Sequence, residues 1–216
     1  MDDPVWPEPV VAIDDFCEPV QHDALVRQPL SALSALGFVA AAAWLWPRVR
    51  RRPVLGWLVG ACGLLAVGTA AQHASGTREG ALLDHLGMQA GVLSLLASSL
   101  SVTRGLSARV VAPVVLVVAG GAAVATVVWF EERRWVLVIT SVAAGLAELP
   151  WWARQRRWPD RWLLGGWALF GGGLVLWWID QQRWGCDPEV PLLHPGWHLA
   201  TAGALVAWAR SYEERA

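Results

Sequence analysis

The chain has five histidines, His22, His73, His85, His194 and His198. Two of them fall one helical turn apart in the stretch Leu193-His194-Pro195-Gly196-Trp197-His198. Pro195 suits the first turn of a helix, which places His194 at the N-cap and His198 one turn on, both facing the same side. Two imidazoles stacked in this way supply half of a tetrahedral metal site. His73 closes an earlier apolar run and Asp84 opens the next one. The expected chemistry is a zinc ion held by His73, His194 and His198, with a fourth position open to water and Asp84 placed to take that water's proton.

Residues so far apart share a site only if the elements that carry them bring them together. Hydrophobic residues make up 55% of the 216, charged residues only 16%, and the mean hydropathy is +0.40. That is too apolar for an ordinary soluble domain. Apolar runs near 28–47, 53–73, 81–102, 108–130, 135–153, 161–180 and 192–210 each approach the roughly 20 residues a helix needs to cross about 30 Å of hydrocarbon. The expected fold is an all-α membrane protein, a seven-transmembrane helix bundle over 28–210. An acidic leader covers 1–27 and a short tail 211–216. The short connections leave no room for a second domain, and Gly120-Gly121 and Gly171-Gly172-Gly173 fit close helix contact inside a membrane.

All 17 basic residues are arginine, and cytoplasmic loops are enriched in them. The first, third and fifth connections carry Arg48, Arg50, Arg51 and Arg52, then Arg104 and Arg109, then Arg154, Arg156, Arg157 and Arg161. The tail adds Arg210 and Arg215. The intervening connections carry Arg78, then Arg133 and Arg134 offset by Glu131 and Glu132, then Arg183 offset by Asp187 and Glu189. This alternation puts the N-terminus outside and the C-terminus in the cytoplasm. Trp44, Trp46, Trp151, Trp152, Trp177 and Trp178 sit near segment ends, as headgroup anchors do.

Arginine without lysine, with abundant Ala, Gly, Val and Leu, points to a GC-rich bacterial genome, so the bacterial plasma membrane is the expected location. The leader, with Asp2, Asp3, Glu8, Asp14, Asp15, Glu18 and Asp23, does not read as a signal peptide. A net charge of -1 argues against a nucleic-acid partner. In this orientation segment two runs outward to His73, while segments three and seven start outside at Asp84 and at His194. All four site residues then meet at the extracytoplasmic face. Singly, each histidine could cap a helix end in the interface; as three with an adjacent carboxylate they read as a metal site.

At these residues the chain resembles the alkaline ceramidase family, seven-helix membrane amidases of the wider CREST superfamily that also holds the adiponectin and progestin receptor relatives. Asp15-Phe16-Cys17-Glu18 and Gln28-Pro29-Leu30-Ser31-Ala32-Leu33-Ser34 are similar to the family's Asp-Trp-Cys-Glu leader and its Glu/Gln-Pro-x-Asn-x-x-Ser entry to helix one. Thr69-Ala70-Ala71-Gln72-His73 and Leu83-Asp84-His85-Leu86-Gly87-Met88 resemble its Ser-x-x-x-His and Leu-Asp-Glu-Leu-x-Met, and His194-Pro195-Gly196-Trp197-His198 its His-Pro-x-Trp-His. The resemblance implies zinc on His73, His194 and His198, Asp84 as proton acceptor, and a ceramide-like lipid cut at its N-acyl amide bond. Thr69, one turn before His73, stands where the family has Ser. Its hydroxyl could orient the water or stabilise an oxyanion, or bond back to its own helix.

The family's leader looks like a calcium site of carboxylates and carbonyls. Asp15, Glu18 and the Phe16 carbonyl remain here, but the family Asn is lost near Val20 and the helix-one Glu reads as Gln28. Calcium takes six to eight oxygens, so the resemblance implies a weakened calcium site or an empty one. Otherwise Asp15 and Glu18 are solvated or pair with Arg27.

Cys17 and Cys186 both fall outside the membrane, where disulfides persist, and a bridge between them would tie the leader to the loop before His194; Cys62 lies within segment two. His85 points about 100° away from Asp84 around its helix and reads as interfacial, and His22 as solvated. Glu148 is expected to pair with an arginine such as Arg154. The leading functional expectation is a zinc-dependent hydrolase of an N-acyl lipid. Its rival is a non-catalytic receptor or metal-stabilised scaffold, which would have no need of Asp84 beside an open coordination position. A transporter would place polar residues along several mid-membrane segments, and segments four and five have almost none. No Gly-rich phosphate loop or serine nucleophile motif is present. Acyl length, head group and oligomeric state stay open, and because many bacteria make no sphingolipid, so does the choice among N-acyl lipids.

Overall fold

The structure is a computed structural model that describes residues 16–155, 160–187 and 189–215, without the side chains of Thr103 and of residues 149–155. Asp15, Arg156 and Arg157 lie outside the described residues, as do the side chains of Trp151, Trp152 and Arg154. Among the described residues the regular structure is entirely helical. It consists of α1 (Pro29–Ser34), α2 (Leu36–Val49), α3 (Gly56–Ser75), α4 (Arg78–Arg104), α5 (Ala108–Val128), α6 (Arg133–Gln155), α7 (Arg161–Gln181) and α8 (Leu193–Arg215). Helices α1 and α2 form one interrupted segment, since Ala35 between them keeps right-handed helical dihedrals. At the break the Ser34 hydroxyl donates to the Ser31 carbonyl at 2.6 Å, taking an acceptor from the backbone ladder.

The seven apolar runs thus become seven helical segments in the expected order. Five of them, Pro29–Val49, Pro53–Ser75, Arg78–Val102, Ala108–Val128 and Arg161–Gln181, are long and apolar enough to cross a membrane. Helix α8 is more polar, for a reason visible in the packing. Trp197, Leu205, Trp208 and Tyr212 of α8 are all buried in the main core with Phe38, Leu65 and Phe170, so protein rather than lipid meets this helix. Helix α5 is the opposite case, with Leu116 and Val117 turned outward at 63% and 75% exposure. An apolar exterior of that kind belongs against hydrocarbon.

Helix α8 does not stop at position 210 but runs to Arg215, and its last turn is locked to α6 and α7. Among the described residues Glu148 finds its partners there, and the expected partner Arg154 has its side chain outside them. The Tyr212 hydroxyl donates to Glu148 Oε1 at 2.7 Å, and Arg215 Nη1 lies 2.9 Å from Glu148 Oε2. Arg215 Nη2 also sits 3.0 Å from Asp160 Oδ2, which accepts the Ser211 hydroxyl at 2.7 Å. A buried carboxylate must be paired, and here the partners come from the last turn of α8. Replacing Glu148 by Ala leaves a buried guanidinium and phenol short of an acceptor. The expected loss is about 3–5 kcal/mol, read as a lower unfolding midpoint in detergent.

Candidate metal centre

Two local signals bring His73 beside Asp84. Helix α3 ends at Ser75, and Gly76 follows at φ 62°, its N–H on the Gln72 carbonyl at 2.7 Å. That left-handed cap costs a glycine little. Thr77 then caps α4, its hydroxyl accepting the Gly80 N–H at 3.2 Å. The resulting tight hairpin lays α4 back along α3. The helices meet closely at Gly68, where a Cβ would fall 2.6 Å from the Asp84 Cα and the Leu83 carbonyl oxygen. Close approach lets the Thr69 hydroxyl donate to Asp84 Oδ1 at 2.5 Å. Gly68→Val is expected to force the helices apart. The expected cost is about 1–3 kcal/mol in stability, with loss of the Thr69–Asp84 bond, measurable as a lowered unfolding midpoint together with lowered activity.

His73, His194 and His198 converge. All three are buried, and one ring nitrogen from each lies within 4.8 Å of the others. Their ring centroids are 4.8 Å (His73–His194), 5.2 Å (His73–His198) and 4.6 Å (His194–His198) apart. Helix α8 begins at Leu193, and the Leu192 carbonyl accepts the Gly196 N–H at 2.9 Å. His194 therefore lies inside the first turn, not at the N-cap. Both rings still face the same side, because the i, i+4 relation does not depend on where the helix starts.

The ring orientations are set by partners on other elements. Gln28 Nε2 donates to the Glu18 carbonyl at 3.0 Å, so its Oε1 is the atom that meets His73 Nδ1 at 2.7 Å. Only a protonated Nδ1 can make that bond, which leaves His73 Nε2 a bare lone pair, buried and without a hydrogen-bond partner. His198 Nδ1 lies 2.6 Å from Ser34 Oγ, whose single proton goes to the Ser31 carbonyl. With the Ser34 proton so placed, His198 donates through Nδ1. His194 Nδ1 lies 3.3 Å from Asp180 Oδ2, near a carboxylate though not aligned as a hydrogen bond. Three buried imidazoles, each with Nδ1 facing an oxygen, are, when neutral, a suitable donor set for a divalent transition metal.

Asp180, at the end of α7, is the functional residue that sequence reasoning missed. The available signal was a lone carboxylate closing the sixth apolar run, at a depth where such groups need a reason. Its Oδ1 accepts the Cys17 N–H at 3.2 Å. Cys17 is joined to Cys186 with Cα atoms 5.4 Å apart, so the leader is tied to the loop before α8 as expected. Cys62 is buried in α3 and free. The nearness of Cys17, Asp180 and Cys186 is not a second metal set, since both sulfurs are consumed in the bridge.

The Glu18 carboxylate is buried, not solvated. It accepts the N–H groups of Leu30 at 2.6 Å and Ser31 at 2.8 Å, capping α1 from a distance. Among the described residues no cluster of carboxylates gathers around it. Arg27 is buried, its N–H on the Ala74 carbonyl at 3.1 Å. The Phe16 ring lies against His194, centroids 3.9 Å apart. His22 is exposed as expected. His85, expected at the interface, is buried against the start of α6 and stands outside the histidine group. Arg133 lies within electrostatic range of Asp84 on its α6 side. No protein-family model matches this chain, and no curated protein matches it.

Proposed function

We propose that this chain is a zinc-dependent membrane amidase, a bacterial relative of the alkaline ceramidases, that hydrolyses the N-acyl amide bond of a ceramide-like lipid. The observation that carries the reading is the convergence of three buried imidazoles whose Nδ1 atoms are all turned to oxygens, one helical turn from a buried Thr69–Asp84 pair. His73, His194 and His198 would hold the zinc, which when bound would supply the acidity that activates a water for attack at neutral pH. Asp84 takes the proton from the attacking water and returns it to the departing amine nitrogen. Thr69 holds Asp84 by donating to Oδ1, which leaves Oδ2 without that bond and able to take the proton. Asp180, Gln28 and Ser34 keep the imidazoles oriented.

A lipid substrate is supported by a cleft of about 420 Å³ between α6 and α7, lined by Val138, Val142, Leu146, Trp167 and Phe170. Val142 and Leu146 are more than half exposed, so the cleft opens on the lipid-facing surface. Its inner wall, Phe170, packs against Trp197, the neighbour of His198, with centroids 5.6 Å apart. The disulfide supports an extracytoplasmic position for the histidine end, since such bridges persist in oxidising compartments. The arginine-rich opposite end, with Arg48, Arg161, Arg210 and Arg215, supports a cytoplasmic C-terminus and a place in the bacterial plasma membrane.

The test is metal analysis of purified protein combined with a screen of ceramides and other N-acyl lipids for released fatty acid, with and without a chelator. One zinc per chain and chelator-sensitive release are expected. Bound metal with no hydrolysis of any N-acyl lipid would instead identify a metal-stabilised receptor or scaffold.

A further inference from the structure

Phe16, Cys17 and Glu18 stand on none of the helices that carry the histidines, yet all three are buried at the metal centre, at 6%, 6% and 4% exposure. Each touches something that orients a ligand. The Phe16 ring packs on His194 and, at 5.8 Å between centroids, on His73. The Cys17 N–H holds Asp180 Oδ1, leaving Oδ2 toward His194 Nδ1. The Glu18 carbonyl fixes the amide of Gln28, and through it the Nδ1–H of His73. The Glu18 carboxylate caps α1, the short helix that presents Ser31 and Ser34 to His198. A three-residue segment thereby reaches the supports of all three imidazoles. Its one covalent tether to the bundle near the site is the bridge to Cys186, in the loop that leads into His194.

We propose that Phe16-Cys17-Glu18 is a clasp that pre-sets the three imidazoles for metal, that Asp180 is the positioning residue for His194, and that the Cys17–Cys186 bridge keeps this contact in place. The proposal rests on the metal-centre reading above. Its physical basis is that an acceptor on Nδ1 fixes the tautomer and makes Nε2 a better donor. A carboxylate excluded from water does this more strongly than a neutral group. Asp180 has one oxygen anchored by a backbone N–H of the clasp, so its aim depends on where the clasp sits. Asp180→Asn keeps an oxygen for the Cys17 N–H but turns an N–H₂ toward an Nδ1–H, replacing attraction by repulsion between donors.

The experiment measures zinc affinity of the full-length chain in detergent, by competition with a chromophoric chelator, for wild type, Asp180→Asn, the Cys17→Ser/Cys186→Ser pair, and all three substitutions together. Asp180→Asn is expected to bind zinc about 10- to 100-fold more weakly. The cysteine pair should weaken binding in the same direction. The triple variant should lose less than the product of the separate losses, because both changes act on one contact. Two readouts separate positioning from general stability. The ligand-field spectrum with cobalt(II) should change in Asp180→Asn. The rise in unfolding midpoint on adding zinc should also shrink, while the midpoint in chelator moves less. Asp180→Glu, which retains the charge, should recover part of the affinity. Zinc binding of wild-type strength in Asp180→Asn overturns the positioning role, and fully additive losses overturn the clasp. Should Asp180→Asn fail to fold, the cysteine pair decides alone: undiminished zinc affinity in it overturns the proposal. A wild-type chain that binds neither zinc nor cobalt overturns the metal centre itself, a result distinct from the others.

Discussion

Asp84→Asn is expected to keep its metal and to lose about 10² to 10⁴ of its rate of amide hydrolysis, the factor a general acid or base typically supplies. The substitution preserves shape, and the Asn oxygen can still accept the Thr69 hydroxyl that now bonds Asp84 Oδ1 at 2.5 Å. What disappears is the second oxygen's capacity to take a proton. Asp84 is not one of the three residues whose nitrogens converge, so metal per chain should stay near the wild-type value. Thr69→Val provides a graded companion. It leaves the carboxylate but removes its hydrogen-bond donor, and a smaller loss of rate is expected. The pair of measurements is metal content by elemental analysis and fatty-acid release from the lipid that wild type cleaves. Hydrolysis by Asp84→Asn at the wild-type rate would show that the carboxylate is structural and that proton transfer runs through another group.

His198→Ala should lose metal and activity together. It removes one of three nitrogens and strands the Ser34 hydroxyl that His198 now meets at 2.6 Å. Two imidazoles on separate helices, His73 on α3 and His194 on α8, hold an ion poorly without the third. Less than a tenth of the wild-type metal content is expected after dialysis against a dilute chelator, an estimate of roughly 1.4 kcal/mol or more in binding. His85→Ala is the matched control, since His85 is equally buried but lies outside the group, and it should retain its metal. Full metal content in His198→Ala would remove this histidine from the ligand set and with it the proposed coordination.

The sequence by itself determined the membrane class, the order of the helical segments, the residue types at the centre and the pairing of Cys17 with Cys186. These were legible because they depend on properties that run along one chain. Hydropathy over about 20 residues decides whether a helix prefers lipid, an i, i+4 spacing places two imidazoles on one face wherever the helix begins, and two cysteines on one side of a membrane have few partners to choose from. The tertiary structure alone decided who faces whom between helices. Asp180 against His194, Gln28 against His73 and Ser34 against His198 are contacts between residues 14, 45 and 164 positions apart. Hydrogen bonds fail beyond about 3.5 Å, so such pairings turn on sub-ångström features of helix packing, such as the missing Cβ at Gly68, that no spacing along the sequence encodes. For the same reason Glu148 took Tyr212 and Arg215 as partners, and His85 is buried in the bundle.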